Sequence, residues 1–269
     1  GLGFILGPAI AGILSKYGVQ IPFYFAAVLS MVSALGVFFL LPESLKKPVE
    51  EHREGRIAAI IESFRERDFG LVNLQYFLLV TAFSIMTYGF VLYTAFRFGY
   101  TPEQNGYLFA FVGLVSIIGQ GVLFGLFAKR FGEIRLVVAG CFLMMLSLFA
   151  IPTIAPAYGG IAGLLGVTIF LAFGNALASP ALTSLVSKIS HEGSQGHALG
   201  IMQSGASLAR AIGPTIGGIL LNNAVNKIDD HTLYRTFWTA SAIMFVAFLI
   251  AIYSAKIIVT DHNVIERIN

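Results

Sequence analysis

Eight stretches of this chain run apolar for close to the length of a membrane crossing: approximately residues 1–14, 21–41, 71–96, 106–127, 136–152, 158–187, 198–221 and 236–255. Each is bounded by charges, Gly or Pro, and a helix needs about 20 such residues to span hydrocarbon. The first is shorter because the sequence opens inside it. The fifth is short enough to imply little tilt or a local thinning of the bilayer. Barrel strands would alternate over about ten residues, whereas these runs are continuous and long, so they predict helices. The predicted fold class is an all-α membrane protein with eight transmembrane helices.

Residues 42–70 form the longest connection and the one stretch that reads as a linker. Within it Ile57, Ile60, Ile61 and Phe64 recur at helical spacing among Arg and Glu residues. That pattern predicts a short amphipathic helix on the membrane surface, with a partner-binding helix as the alternative.

Composition points to lipid as the main solvent. The chain is 57% hydrophobic and 12% charged, and an average soluble domain carries roughly twice that charged fraction. Its mean hydropathy is +0.81. The 29 glycines also suit membrane helices, where Gly lets backbones approach closely. A formal charge of +3 leaves no footprint for nucleic acid.

The basic residues report orientation instead. Connections after even-numbered segments, with the tail, hold Lys46, Lys47, Arg53, Arg56, Arg65, Arg67, Lys129, Arg130, Arg135, Lys188, Lys256 and Arg267. The opposite side holds only Lys16, Arg97, Lys227 and Arg235. This bias predicts a cytoplasmic C-terminus in a plasma or inner membrane.

Enzymatic chemistry finds no support. There is no HExxH, Walker loop or CxxC, and His52, His191, His197, His231 and His262 lie in or beside loops without ligand spacing. The single Cys141 sits in an apolar run, so no internal disulfide is expected. No catalytic residue, metal or cofactor is expected; the partners are the lipid bilayer and a small-molecule substrate.

Polar residues inside the apolar segments are the candidates for that substrate's path. Asn73, Tyr76, Ser84 and Thr87 recur close to helical spacing on the third segment, and Gln203, Ser207 and Arg210 on the seventh. Ser116 with Gln120, and Asn175 with Ser179, add i,i+4 pairs. These residues are expected to face away from lipid, lining a polar cavity or making interhelical hydrogen bonds. Arg210 lies near the middle of its segment, where an unpaired Arg costs about 3 kcal/mol on insertion scales. It is expected to bind an anionic group, to neutralise a proton-carrying acid, or to be held in a structural ion pair or carbonyl cap. None of the 14 Asp and Glu residues falls within a predicted span.

A repeat runs through the chain at long period. Residues 5–14, ILGPAIAGIL, align without gaps on residues 211–220, AIGPTIGGIL, at an offset of 206. After a loop eight residues longer in the second copy, Phe23-Tyr24-Phe25-Ala26 falls opposite Phe237-Trp238-Thr239-Ala240. Segments one and two thus match seven and eight, a six-helix period that arises when two six-helix halves are related by an axis along the membrane normal. The chain then starts in helix five of twelve, and four upstream helices are missing. Residues 1–41 would be the last two helices of a truncated N-terminal bundle, 42–70 a cytoplasmic linker, 71–255 a C-terminal six-helix bundle and 256–269 a cytoplasmic tail.

The motifs carried by this repeat resemble those of major facilitator superfamily drug:proton antiporters, within them the tetracycline-efflux-like group. Gly7-Pro8-Ala9-Ile10-Ala11-Gly12 resembles the GPxxGG antiporter motif, with Ala11 in place of the first closing Gly, and Gly213-Pro214-Thr215-Ile216-Gly217-Gly218 repeats it intact. Leu41-Pro42-Glu43-Ser44-Leu45 is similar to the LPExL ending of helix six. Residues 125–132, GLFAKRFG, are similar to the second-half helix-loop-helix signature, with Ala128 and Lys129 where such loops often carry Asp.

The resemblance implies a secondary transporter, a multidrug-efflux type of antiporter, exporting a small amphiphilic or drug-like molecule by alternating access with protons as the coupling ion. The proton-carrying acid would then belong to the missing N-terminal helices. Gly7, Pro8, Gly12, Gly213, Pro214, Gly217 and Gly218 would serve helix packing and gating, since Gly lets backbones touch and Pro bends a helix. Metabolite uptake by the same fold, or a non-transporting receptor or scaffold, are the alternatives.

Overall fold

A computed structural model describes residues 2–41, 67–190, 194–222 and 228–268, with the side chains of Leu2, Phe4, Ile5 and residues 257–268 left aside. Among these residues lie eight long helices: α1 (Leu2–Leu14), α2 (Ile21–Leu40), α3 (Arg67–Phe98), α4 (Pro102–Phe131), α5 (Glu133–Ala150), α6 (Gly160–Ile189), α7 (Gln195–Leu221) and α8 (Asp230–Ile268). No β-sheet occurs among the described residues. The surface helix expected around Ile57 to Phe64 lies outside them.

Most helices outrun the apolar segments that announced them. Apolar runs mark the hydrocarbon depth, whereas the backbone stays helical through the headgroup layer, where polar side chains are solvated. Thus α3 begins at Arg67, inside the stretch expected to be linker, and α8 continues through the expected tail to Ile268. At the start of α4, Thr101 and Gln104 form a reciprocal capping box and Pro102 takes the first helical position, which fixes that end four residues before the apolar run. Gly132, at φ +79°, makes the sharp turn from α4 to α5, a conformation open to Gly at little cost.

Six of the eight helices are long and apolar enough to cross a membrane: α2, α3, α4, α6, α8 and α5 extended to Thr153. The other two fall short of that measure for different reasons. Helix α1 has 13 residues. Helix α7 is long but diluted by Gln195, Gln203, Ser204, Ser207 and Arg210, all exposed, while Ile201, Met202, Ala206, Ala209 and Gly213 bury its other side.

Helices α3 to α8 pack into one bundle in which α3 lies against α7 and α8, and α5 against α6 and α8. Small residues set the closest approaches. A Cβ on Gly140 of α5 would sit 2.6 Å from the Gly174 carbonyl oxygen of α6, and one on Gly174 would sit 2.8 Å from that of Gly140. Without a hydrophobic drive between helices in lipid, such backbone contact is what dispersion rewards. Aromatic rings fill the wider gap between α3 and α8, where Tyr93 and Phe237 are fully buried with centroids 5.6 Å apart.

Charges tie the bundle at its two ends. At one, Arg97 meets Asp230 at 3.1 Å and donates to the Pro152 carbonyl, while Arg235 donates to the Leu220 carbonyl at the close of α7. At the other, Lys188 pairs with Glu133, and the Arg67 guanidinium donates to the Tyr253 hydroxyl. Helix α1 packs on α4, whereas α2 touches little but α1 and has no buried residue.

Candidate functional site

The site grows from the face that α3 turns away from its aromatic core. Tyr76, Val80, Phe83, Ser84, Thr87 and Tyr88 follow one another at helical spacing and line a cleft of about 540 Å³ together with Leu79. Asn175 and Ser179 of α6 and Arg210 and Pro214 of α7 complete its wall. At about 1.5 Å per residue, Tyr76 to Tyr88 covers roughly 18 Å of helix axis, centred on the middle of α3. The α6 and α7 residues are also near the middles of their helices, so the cleft lies at mid-depth. That volume is within the range of about 300–1,000 Å³ typical of small-molecule pockets. A second concavity of about 640 Å³ lies against α2 alone, along Leu29, Ser33 and Val37. It brings no two elements together and holds no charge, so the chemistry belongs to the mid-depth cleft.

Six of the eleven polar residues picked from the sequence meet in this cleft: Tyr76, Ser84, Thr87, Asn175, Ser179 and Arg210. The other five do not line it. Asn73 is buried at 5% exposure and spends its amide on the Phe69 carbonyl one turn back. Ser116 is buried and donates to the Val112 carbonyl. Gln120 sits half-buried in a π-helical turn, Gly119–Leu123, within α4. Gln203 and Ser207 are exposed along α7; Ser207 donates to the Gln203 carbonyl, and the Gln203 side-chain oxygen lies 3.5 Å from an Arg210 nitrogen. These are the local satisfactions that Ser and Asn find within a helix, and spacing alone does not separate them from cavity-facing positions.

Arg210 is exposed to the cleft. It stands fifteen residues after the start of α7 and eleven before its end, roughly 22 and 16 Å by helical rise. Neither interface is within reach of snorkelling. Its one hydrogen bond among the described residues is the long contact to Gln203. No carboxylate lines the cleft, and the ion pairs Lys16–Glu103, Arg97–Asp230 and Lys188–Glu133 all lie at helix ends.

The GP motif of α7 shapes this wall. A Cβ on Gly213 would meet Ser84 Cβ at 2.4 Å, and one on Gly217 would meet the Tyr88 ring at 3.1 Å. The two glycines therefore seat α7 against two cleft residues of α3, and Pro214 between them faces the cleft itself. Gly218 departs from the packing role expected of it, since its nearest neighbour would be the Tyr88 hydroxyl at 3.8 Å.

The related motif of α1 does different work. Gly12 faces Gly106 of α4, with a built Cβ 3.1 Å from the Gly106 Cα, and a Cβ on Gly106 would lie 2.7 Å from the Pro8 carbonyl oxygen. Gly7 has nothing within 4 Å on its Cβ side, so the expectation of a close approach there is not met among the described residues. Beside this crossing Lys16 pairs with Glu103 at 2.6 Å, and that hydrogen bond holds the Lys16 ammonium above its ordinary pKa; the carboxylate also accepts from Tyr107. Sequence reasoning missed Gly106, this ion pair and the cleft residues Tyr88, Leu79, Val80 and Phe83. The period of the Tyr76-to-Thr87 stripe, followed through its apolar and aromatic neighbours, was the signal that would have found these four.

The family model described as Major Facilitator Superfamily matches residues 1–214 and, in a second match, 157–263. The chain belongs to the major facilitator superfamily. Among its relatives, "Multidrug resistance protein 1" of Bacillus subtilis (strain 168) is 30% identical over 226 residues, which are 83% of this chain and 56% of that protein. "Tetracycline resistance protein, class D" of Salmonella ordonez is 27% identical over 238 residues, 85% of this chain and 57% of that one. The crystal structure of the human organic anion transporter MFSD10 (TETRAN) superposes with a TM-score of 0.67 at 24% identity, covering 93% of this chain and 60% of that one. The chain spans little more than half the length of the curated relatives it matches. This major facilitator chain is an integral membrane protein whose α3 to α8 form one six-helix bundle of the family's type.

Proposed function

We propose that this chain is the C-terminal portion of a secondary transporter that exports a small amphiphilic or drug-like molecule by alternating access, driven by protons. The observation that carries the proposal is the mid-depth cleft, apolar over most of its wall, with a few convergent polar groups and one charge that neither interface can solvate. Pockets of that make-up hold amphiphilic ligands, and transporters of this architecture place substrate near the bilayer midplane between two halves. The names of the multidrug and tetracycline resistance relatives support export of drug-like molecules.

In this reading residues 1–41 are the last two helices of an N-terminal bundle, the stretch between α2 and α3 a cytoplasmic linker and α3 to α8 the C-terminal bundle, with the C-terminus in the cytoplasm of a plasma or inner membrane. The upstream helices close the open side of the cleft and supply the acid that carries the proton. The test is accumulation of a tetracycline or a lipophilic dye in inverted vesicles containing the full-length parent protein, with and without an inward-acid gradient. Accumulation that collapses with the gradient supports the proposal. Equal content in vesicles with and without the protein refutes transport, and accumulation indifferent to the gradient refutes proton drive alone.

A further inference from the structure

We propose that the cleft selects organic anions: planar aromatic molecules bearing a carboxylate or sulfonate that the Arg210 guanidinium holds. This rests on the cleft being the substrate site and names the class of substrate it takes.

Charge decides the sign of the ligand. Arg210 is the one charged residue lining the cleft, and no carboxylate among the described residues approaches it. An unmatched guanidinium at mid-depth attracts a negative group and repels a positive one, the more strongly the less water shares the cleft with the ligand. On the wall that this chain supplies, a cation meets only its own sign. The guanidinium is also poorly satisfied among the described residues, its contact to the Gln203 side-chain oxygen being 3.5 Å long. Its planar fork is left to a ligand, and a fork matches the two oxygens of a carboxylate or sulfonate in a way an ammonium does not.

The walls decide the rest of the molecule. Phe83 and Tyr88 project from α3 into the same cleft, with the buried Tyr76 ring behind them at its edge. Their rings offer apolar area to a flat scaffold, with offset stacking or edge contact adding to burial. Neutral polar groups of Ser84, Asn175 and Ser179 lie on the same wall, and none of their side chains makes a hydrogen bond among the described residues. They orient hydroxyl or carbonyl substituents without adding charge. An anionic head at Arg210 with a fused-ring body against α3 uses every feature of the cleft; a cationic amphiphile uses the rings and is opposed by the charge.

The experiment compares two xanthene dyes that share a ring system and differ in charge, fluorescein as the anion and rhodamine 6G as the cation. Binding to the full-length parent protein in detergent is read by fluorescence anisotropy for wild type, Arg210→Gln and Arg210→Lys, each first shown to be monodisperse and helical. Wild type is expected to bind the anion at least ten-fold more tightly than the cation. Arg210→Gln should weaken the anion by ten-fold or more while leaving the cation unchanged or tighter, and Arg210→Lys should fall between. Equal or tighter binding of the cation by wild type, or binding of neither dye, overturns the inference. Equal weakening of both dyes in Arg210→Gln also overturns it, because Arg210 would then serve an internal acid rather than the ligand. Gradient-driven accumulation of rhodamine 6G with no response to fluorescein would sink the anion class and leave the transporter reading standing.

Discussion

A methyl group added at Gly213 has nowhere to go. The new Cβ would lie 2.4 Å from Ser84 Cβ and 3.2 Å from the Ile85 nitrogen and the Thr81 carbonyl oxygen. Non-bonded carbons rest about 3.5–4.0 Å apart, so Gly213→Ala has to move α7 or Ser84 by roughly an ångström. Overpacking of that kind costs about 1–3 kcal/mol. Against it stands about 1 kcal/mol that Ala gains over Gly inside a helix. Gly218→Ala five residues on receives the same gain without the clash, since its nearest neighbour would be 3.8 Å away. The propensity gain cancels between the two variants, leaving Gly213→Ala less stable by about 1–3 kcal/mol. The assay is denaturant unfolding in detergent followed by thiol labelling of Cys141, the single cysteine of the sequence and fully buried. Ser84→Gly removes the atom that is struck, so a double-mutant cycle with Gly213→Ala should show recovery exceeding about 0.5 kcal/mol. Equal stability of the two Ala variants, or no recovery with Ser84→Gly, would refute the packing described for α7.

Three further outcomes follow from the same contacts. Gly106→Leu drives a side chain into the Pro8 carbonyl and should lower the thermal midpoint of the full-length protein, whereas Leu at exposed Gly121, with nothing within 4 Å, should not; similar midpoints would contradict the α1–α4 crossing. Gly140→Ala should likewise fall about 1–3 kcal/mol below Gly218→Ala in the Cys141 labelling assay, because the methyl meets backbone and Ala178 rather than a movable side-chain end. Arg210→Lys keeps the charge without the fork and should slow initial transport rates of the parent protein less than Arg210→Ala; rates and pH profile left intact by Ala would make Arg210 structural.

The helices were legible because continuous apolar runs of membrane length admit few other structures. Their ends were not, since Arg67 and the Thr101 capping box belong to a layer where polar residues are helical and solvated at once. The cleft was half legible. Polar residues at helical spacing marked the faces of α3, α6 and α7, and the mid-depth charge singled out Arg210. Asn73 and Ser116 share that spacing yet turn their side chains onto their own helix, a choice made by neighbours that no single helix displays. The GP repeat pointed to close packing, but which glycine touches depends on the partner: Gly213 meets α3, Gly12 meets α4, and Gly218 meets almost nothing.

The central claim is that substrate passes through the cleft between α3, α6 and α7. Thr87→Cys, at the middle of that wall, can be labelled with a bulky maleimide in the full-length protein after the native cysteines are removed, with Phe170→Cys on the exposed face of α6 as control. Labelling at position 87 should abolish gradient-driven transport, and saturating substrate should slow that labelling, while the same label at position 170 leaves transport intact. Full transport by protein completely labelled at position 87 would contradict the account.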